Sequence, residues 1–535
     1  MATLVGATLI TTRTEQPTPA QIDAIFKEFD RPDSPGCSIA IEQKGAIVYA
    51  KGYGMANLEY GVANTPDTVY HIASLSKQIT AFAIQLLVED GRVKLDDDVR
   101  KYIPELHDFG RVITLSHLLH HTSGLRDQWD LASLGGWRMD DVITEDDLLG
   151  LLFRQTALNF DPGSRYVYCN SGYTLLGLVV KRVTGKSLRE FCRERLFALL
   201  GMNHTHFHDD YKEIVANRAA SYTPNDGGGF QAAVLTFSNV GATGLFSTVS
   251  DFARWTRNLV EPSVGGRAVL ARMASTPPLS EGRANRYACG LIVGHYRGLR
   301  VMEHLGSDAG YRADSLVFPD NEFSIVCFAN VSSAEPSALA RRIADLFLGD
   351  ALAQVPKSEE AVPVDSKILL AYVGTYGFEP GRVGRFGVRD GKFEVNFGVE
   401  DPIELVALSA SRFRIQGVGQ CEFVKVRGGY NCKLTSSDVS DLGRRMVPDE
   451  KDQDLAGFVG AFYSGELQTF CRVSLDGGSL KLSDSKHRDD LKPLARDVFC
   501  FGSRTVRFER NRNGRVMRMF VSTGRSFNVR FDRSQ

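Results

Sequence analysis

Apolar and polar positions along the chain fall into two textures that meet near residue 350. In the first, residues 19–30 (PAQIDAIFKEFD) place apolar side chains at helical spacing, which predicts a helix with Thr18 as its N-cap. "CSIAIEQKGAIVYAKGYG" alternates and turns at Lys44-Gly45, the pattern of a hairpin. From Lys77 to Glu89 the period is helical again, and Gly91 supplies a stop. Thr248 and Asp251 in "STVSDFARWTRNLV" are spaced as a capping box. "RVMEHLG" and "DSLVFPDNEFSIVCFANV" read as strands, and "PSALARRIADLFLG" as a closing helix. Hairpins at both ends with helices between them predict an α+β unit, an antiparallel sheet plus a helical part.

The second texture is all-β. Short alternating runs are separated by Gly and Asp-Gly turns. Tyr372-Val373-Gly374-Thr375-Tyr376 parallels Phe458-Val459-Gly460-Ala461-Phe462, and Asp390-Gly391 parallels Asp476-Gly477 at the same offset. A shared offset points to duplication and so to two small β-barrels, with a single larger sandwich as the alternative. The proline- and charge-bearing stretch between the textures reads as a linker. The expected organisation is therefore a first domain at 1–352, a linker at 353–366, and barrels at 367–451 and 452–535.

Composition narrows the class without naming a chemistry. A chain of 535 residues exceeds one ordinary core, and 43% apolar with 24% charged residues is the balance of a globular protein. A net charge of -1 gives no electrostatic reason to expect nucleic acid or an anionic membrane. No apolar run approaches the roughly 20 residues of a membrane span. The nine cysteines are scattered singly, which suits reduced thiols and a cytoplasmic setting. A periplasmic one is the alternative, should MATLVGATLITTRTEQ be a trimmed export signal.

Three constellations carry candidate chemistry. Ser74 and Lys77 in "HIASLSKQIT" sit three apart at a helix start, on one face, whereas Ser76 points elsewhere. A lysine whose pKa is lowered by burial can take a serine proton. The pattern alone is weak, because Ser483-Asp484-Ser485-Lys486 repeats it in the β-rich tail. Tyr168-Cys169-Asn170 offers a tyrosine base bonded to Lys77 and an amide to fix the substrate, or merely a loop end before a helix. His304-Leu305-Gly306 offers a histidine on a strand and a glycine that lets a substrate backbone approach.

In this order the three motifs resemble those of the penicillin-recognising serine hydrolases: class C β-lactamases, DD-peptidases and related esterases. "ITLSHLLHHTSGL", "PGSRYVYCNSGYTLLG", "GATGLFSTVSDFARW" and "YACGLIVG" are similar to that family as well, and the likeness covers about residues 20–350. H-L-G where K-T-G is commonest, "TSGLRDQWDL" and two terminal β-domains look like the D-aminopeptidase branch. Peptidases of linearised microcystin, a cyclic peptide toxin, are similar in length and arrangement. The resemblance implies a β-lactamase/DD-peptidase-like catalytic domain and a serine hydrolase of short peptides, with no cofactor and no catalytic metal. Ser74 would form the acyl-enzyme, Lys77 and Tyr168 would move its proton, and His304 would bond near Tyr168 and the substrate. The backbone N–H groups of Ser74 and Ser307 would form the oxyanion hole. Asn170, Gly306 and Asp490, the last in "DSKHRDDLKPL", would contact substrate. A homodimer stays open.

Two histidine clusters compete. "NHTHFHDD" sets His204, His206 and His208 at strand spacing, like the H-x-H-x-D run of zinc hydrolases, but with histidine in the fifth position they read as surface residues. His117, His120 and His121 fit packing or capping. Alternatives to the peptidase are an esterase or β-lactamase-like hydrolase on the same residues, a non-catalytic peptide-binding protein, and a zinc hydrolase at the His204 cluster.

Overall fold

The computed structural model describes residues 16–534 except 355–358, 379–381, 399–401, 437–438, 447–453 and 485. The candidate export signal falls almost entirely outside them. Six antiparallel strands form the main sheet in the order 292–296, 299–308, 311–318, 323–329, 37–43 and 46–53. The first hairpin turns at Lys44-Gly45, both with positive φ, the geometry of a two-residue primed turn.

Strand alternation divides the core. Ile39, Ile41, Ile325 and Cys327 face one way, against Leu339 and Ile343 of the helix Pro336–Leu348. Ala40, Val326 and Phe328 face the other, toward Phe252 of the helix Val249–Val260. On that second side the helical part gathers around Ser76–Glu89 and Asn170–Thr184, which pack on each other. Thr248 accepts from the Asp251 N–H, but the Asp251 carboxylate does not reciprocate. It accepts from the His204 N–H (2.7 Å) and the Thr205 hydroxyl (3.0 Å), so half of the expected box serves tertiary packing.

The N-terminal helix is shorter than its period suggests. Thr18 and Gln21 close a capping box, the helix runs only over Pro19–Asp23, and single turns carry the chain to Phe29. The Asp23 carboxylate accepts from Tyr49, Tyr53 and Lys51 and ties this end to the hairpin.

The tail forms two closed, eight-stranded antiparallel barrels, with strands from Gly374 to Met446 and from Gly460 to Arg533. The first is filled by stacked aromatics, among them Tyr372 on Phe423 at 4.1 Å. The repeat is displaced by one residue at its turns. Asp390-Gly391 connects the second and third strands of the first barrel, whereas Gly477-Gly478 does so in the second, because Asp476 there still pairs within its strand. No helix among the described residues is long and apolar enough to cross a membrane.

Candidate active site

The stretch His71–Thr80 enters as a 3-10 turn, Ala73–Leu75, that runs straight into the helix Ser76–Glu89. Ala73 is held at φ 49°, a conformation that costs an L-residue roughly 1–2 kcal/mol and turns the next side chain outward. Ser74 is the one residue of the stretch that is not buried. Ser76 is fully buried: its hydroxyl donates to the Ala73 carbonyl (2.5 Å) and accepts from the Leu245 N–H (3.0 Å). The two serines are therefore not interchangeable.

Lys77 is buried, and its ammonium nitrogen lies 3.2 Å from Ser74 Oγ, 2.8 Å from Asn170 Oδ1 and 2.6 Å from the Ala242 carbonyl. Burial, only partly offset by the Asp127 charge, pulls its pKa down to about 7. The amine is thus largely uncharged just above neutrality and can accept the Ser74 proton.

Tyr168 differs from expectation in its partner. Lys77 Nζ lies over the Tyr168 ring, 4.9 Å from its centre, and the phenol is hydrogen-bonded to Ser74. Burial drives the Tyr168 pKa well above the ordinary phenol value, so near pH 7 it is a proton donor rather than a resting base. Asn170 has partners within the protein: its Oδ1 accepts from Lys77 and its amide donates to Asp127 Oδ2 (2.9 Å), so it orients the lysine.

His304 is buried, with Nε2 2.8 Å from the Tyr287 hydroxyl and Nδ1 2.7 Å from the Leu305 carbonyl. Both nitrogens are used within the protein, and burial lowers the pKa to about 3, so the ring is neutral. It braces Tyr287, which stands edge-on to Tyr168 at 6.0 Å. Gly306 is demanded by the protein's own backbone: a Cβ there would lie 2.3 Å from the Ile72 carbonyl. This approach seats the strand Leu299–Asp308 on the nucleophile turn and leaves Ser307, next along, exposed beside it.

Four residues that the motifs do not single out complete the cluster. Asp127 is buried and accepts from the Asn170 and Trp129 N–H groups (2.7 and 3.0 Å). The His121 ring lies tilted against that of Tyr168, 4.3 Å between centres, and accepts from the Cys169 N–H, which fixes the tyrosine's backbone. Asp308 accepts from Thr243 Oγ1 (3.1 Å), and burial raises its pKa to about 6. Arg525, from the second barrel, sets its guanidinium 4.9 Å from the Tyr168 ring centre. A hydrogen-bonding residue inside a family motif, as Asp127 is in "TSGLRDQWDL", is a usable sequence signal. Arg525 lies some 350 residues beyond Tyr168 and carries none.

The barrel element that reaches the cluster is the loop 523–528, not the stretch 484–494. Asp490 sits exposed on a barrel strand, ion-paired with Lys481. Loop 523–528 is clasped instead: Asp130 accepts from the Thr523 hydroxyl and the Arg525 N–H, and Asn159 bonds both the Arg525 carbonyl (2.8 Å) and the Phe527 N–H (2.7 Å). Arg126 donates to the Phe527 and Asn528 carbonyls and pairs with Glu466 at 2.8 Å, with 2% and 11% of the two side chains exposed. The second Ser-x-x-Lys match begins at Ser483, which ends a barrel strand.

The chain is 28% identical to a D-aminopeptidase of Brucella anthropi over 452 residues, 83% of this chain and 82% of that one. The octameric penicillin-binding protein homologue from Pyrococcus abyssi superposes with a TM-score of 0.57 at 24% identity, over 88% of this chain and 99% of that one. D-amino acid amidase from Ochrobactrum anthropi SV3 gives 0.53 at 23% identity, over 62% and 98%. The family model described as Beta-lactamase matches residues 22–349. The chain belongs to the β-lactamase family, the penicillin-recognising serine hydrolases, on its D-aminopeptidase-like branch.

Proposed function

We propose that this serine hydrolase cleaves amide bonds in short peptides carrying D- or other non-standard residues, such as a linearised microcystin-type peptide, through an acyl-enzyme on Ser74. The observation that carries the reading is a buried amine of pKa about 7 held 3.2 Å from a partly exposed serine hydroxyl. The name of the D-aminopeptidase relative supports the amide over the ester.

Neutral Lys77 takes the Ser74 proton as Oγ attacks the carbonyl carbon. The resulting oxyanion is stabilised by the Ser74 and Ser307 N–H groups. The Tyr168 hydroxyl protonates the departing nitrogen and recovers its proton from Lys77, which leaves an acyl-enzyme and a free amine. Water, deprotonated by the same pair, then releases the acid and regenerates Ser74. His304, Asp127 and His121 act by positioning. The clasped 523–528 loop narrows the approach to Tyr168, which favours short substrates.

The test is fluorophosphonate labelling with mass-spectrometric mapping, repeated on Ser74→Ala. Label on Ser74 and its loss in the variant are expected; label on Ser76, or on no serine, would overturn the mechanism. A panel of D-aminoacyl amides, linear peptides with non-standard residues, p-nitrophenyl esters and a cephalosporin then tests substrate class. A preference for esters or the cephalosporin over every amide would reject the peptidase reading and leave an esterase or β-lactamase.

A further inference from the structure

Three of the buried polar atoms that lack partners lie together outside the active site. Among the described residues neither ring nitrogen of His208 has a hydrogen-bond partner, and His206 Nε2 is likewise buried and unpaired. His208 is 3% exposed, so it is not the surface residue its sequence pattern suggests. An unsatisfied buried imidazole costs free energy unless a ligand completes it.

The surroundings aim these nitrogens at a common point. His206 and Phe207 form a two-residue strand paired to Leu245–Ser247, and the His208 N–H donates to the Gly244 carbonyl (2.7 Å). One ring nitrogen from each histidine and a Glu213 carboxylate oxygen lie within 4.8 Å of one another, and His208 Nδ1 is 3.7 Å from Glu213 Oε2. Tetrahedral bonds of about 2.1 Å need donors about 3.4 Å apart, a contraction that side-chain rotation supplies. His204, the remaining histidine of the run, is not part of this group.

We propose that His206, His208 and Glu213 form a binding site for a zinc-class divalent transition-metal ion, distinct from the Ser74 cluster and without a part in hydrolysis. Two imidazoles and one carboxylate select zinc, cobalt or nickel over calcium and magnesium, which require oxygen donors. Arg189 holds Glu213 through two hydrogen bonds, of which that to Oε1 (2.7 Å) persists when Oε2 turns to the ion. Asp209, paired with Arg189, adds negative charge, while Arg218 over the nearby Phe246 ring opposes it. The ion would tie the 209–217 loop to the small sheet in which Phe246 pairs with both His206 and His71. His71 lies two strand spacings from His206, about 10 Å, and three residues before Ser74.

Tag-free, chelator-stripped protein titrated with Zn²⁺ by calorimetry, and with Co²⁺ by visible absorption, tests the site. Expected are one ion per chain, a rise in Tm on loading, and fluorophosphonate labelling of Ser74 that is the same with and without metal. His208→Ala should abolish binding. Because that change hollows a buried position, His206→Gln and Glu213→Gln carry the decision: each should weaken binding at least ten-fold while the circular-dichroism spectrum stays native. Wild-type binding no tighter than that of the His206→Gln/Glu213→Gln double variant would overturn the proposal, as would metal-dependent labelling of Ser74.

Discussion

At the scale of single residues, chemistry is decided by which side chains lose water. Ser74 and Ser76 share a residue type and a helix start, but Ser76 spends its hydroxyl on Ala73 and Leu245 whereas Ser74 faces Lys77. Lys77 owes its pKa of about 7 first to burial. The amine is the active form, so kcat/KM should rise with pH along a limb whose midpoint is near 7 and level off above it. Lys77→Met should remove the limb together with roughly 10³-fold or more of the activity, as expected when a general base is lost. A pH–rate profile on an amide substrate reads both. Asp314 is the opposite case, a carboxyl buried in the sheet with neither oxygen hydrogen-bonded among the described residues and a pKa raised from 3.8 to about 8. Its raised folded-state pKa leaves stability intact below about pH 4 and erodes it as pH climbs to about 8. Asp314→Asn should therefore stabilise the protein at pH 8 by about 1–3 kcal/mol, with a smaller gain at pH 5, in denaturant melts at the two pH values.

At the scale of elements, periodicity was legible and partnership was not. The Lys44-Gly45 hairpin, the helix ending before Gly91 and the paired barrels follow from local pattern, because turn chemistry and amphipathic period act over a few residues. The helix after Thr18 ends at Asp23, although the period continues to Asp30, since tertiary contacts of Asp23 and Phe26 outweigh a weak local preference. Asp251, Asn170 and His304 likewise stand where the motifs put them but bond to other parts of the chain, and Gly306 packs against the Ile72 carbonyl. Gly306 yields a sharp expectation. In Gly306→Ala the new methyl meets the Ile72 carbonyl at 2.3 Å, so the strand must withdraw from the nucleophile turn. Displacing Ser307 by about 1 Å should cost roughly 10²-fold in kcat, with KM little changed, in steady-state kinetics.

At the scale of the whole molecule, the second barrel completes the active-site wall. Its loop is fastened through Arg126, Asp130 and Asn159, and the Arg126–Glu466 pair is nearly buried. Glu466→Ala leaves Arg126 uncompensated and should cost about 3–5 kcal/mol in thermal or denaturant melts, with a parallel loss of activity. Arg525→Ala leaves the clasp intact, because Arg525 is held there by its backbone. It should raise KM several-fold for peptides with a carboxylate near the scissile bond, and much less for their amidated counterparts. Equal effects on both would show that the guanidinium only packs on Tyr168. The order Ser74-x-x-Lys77, Tyr168-x-Asn170, His304-x-Gly306, the α+β class and the two barrels are local or ordered signals that a single chain can carry. Which hydroxyl remains exposed, that Lys77 is dry enough to be neutral, that Arg525 rather than Asp490 comes nearest, and that His206, His208 and Glu213 converge are decided by contacts between distant residues. Burial and charge proximity exist only once the chain has closed on itself, and no spacing along it encodes them.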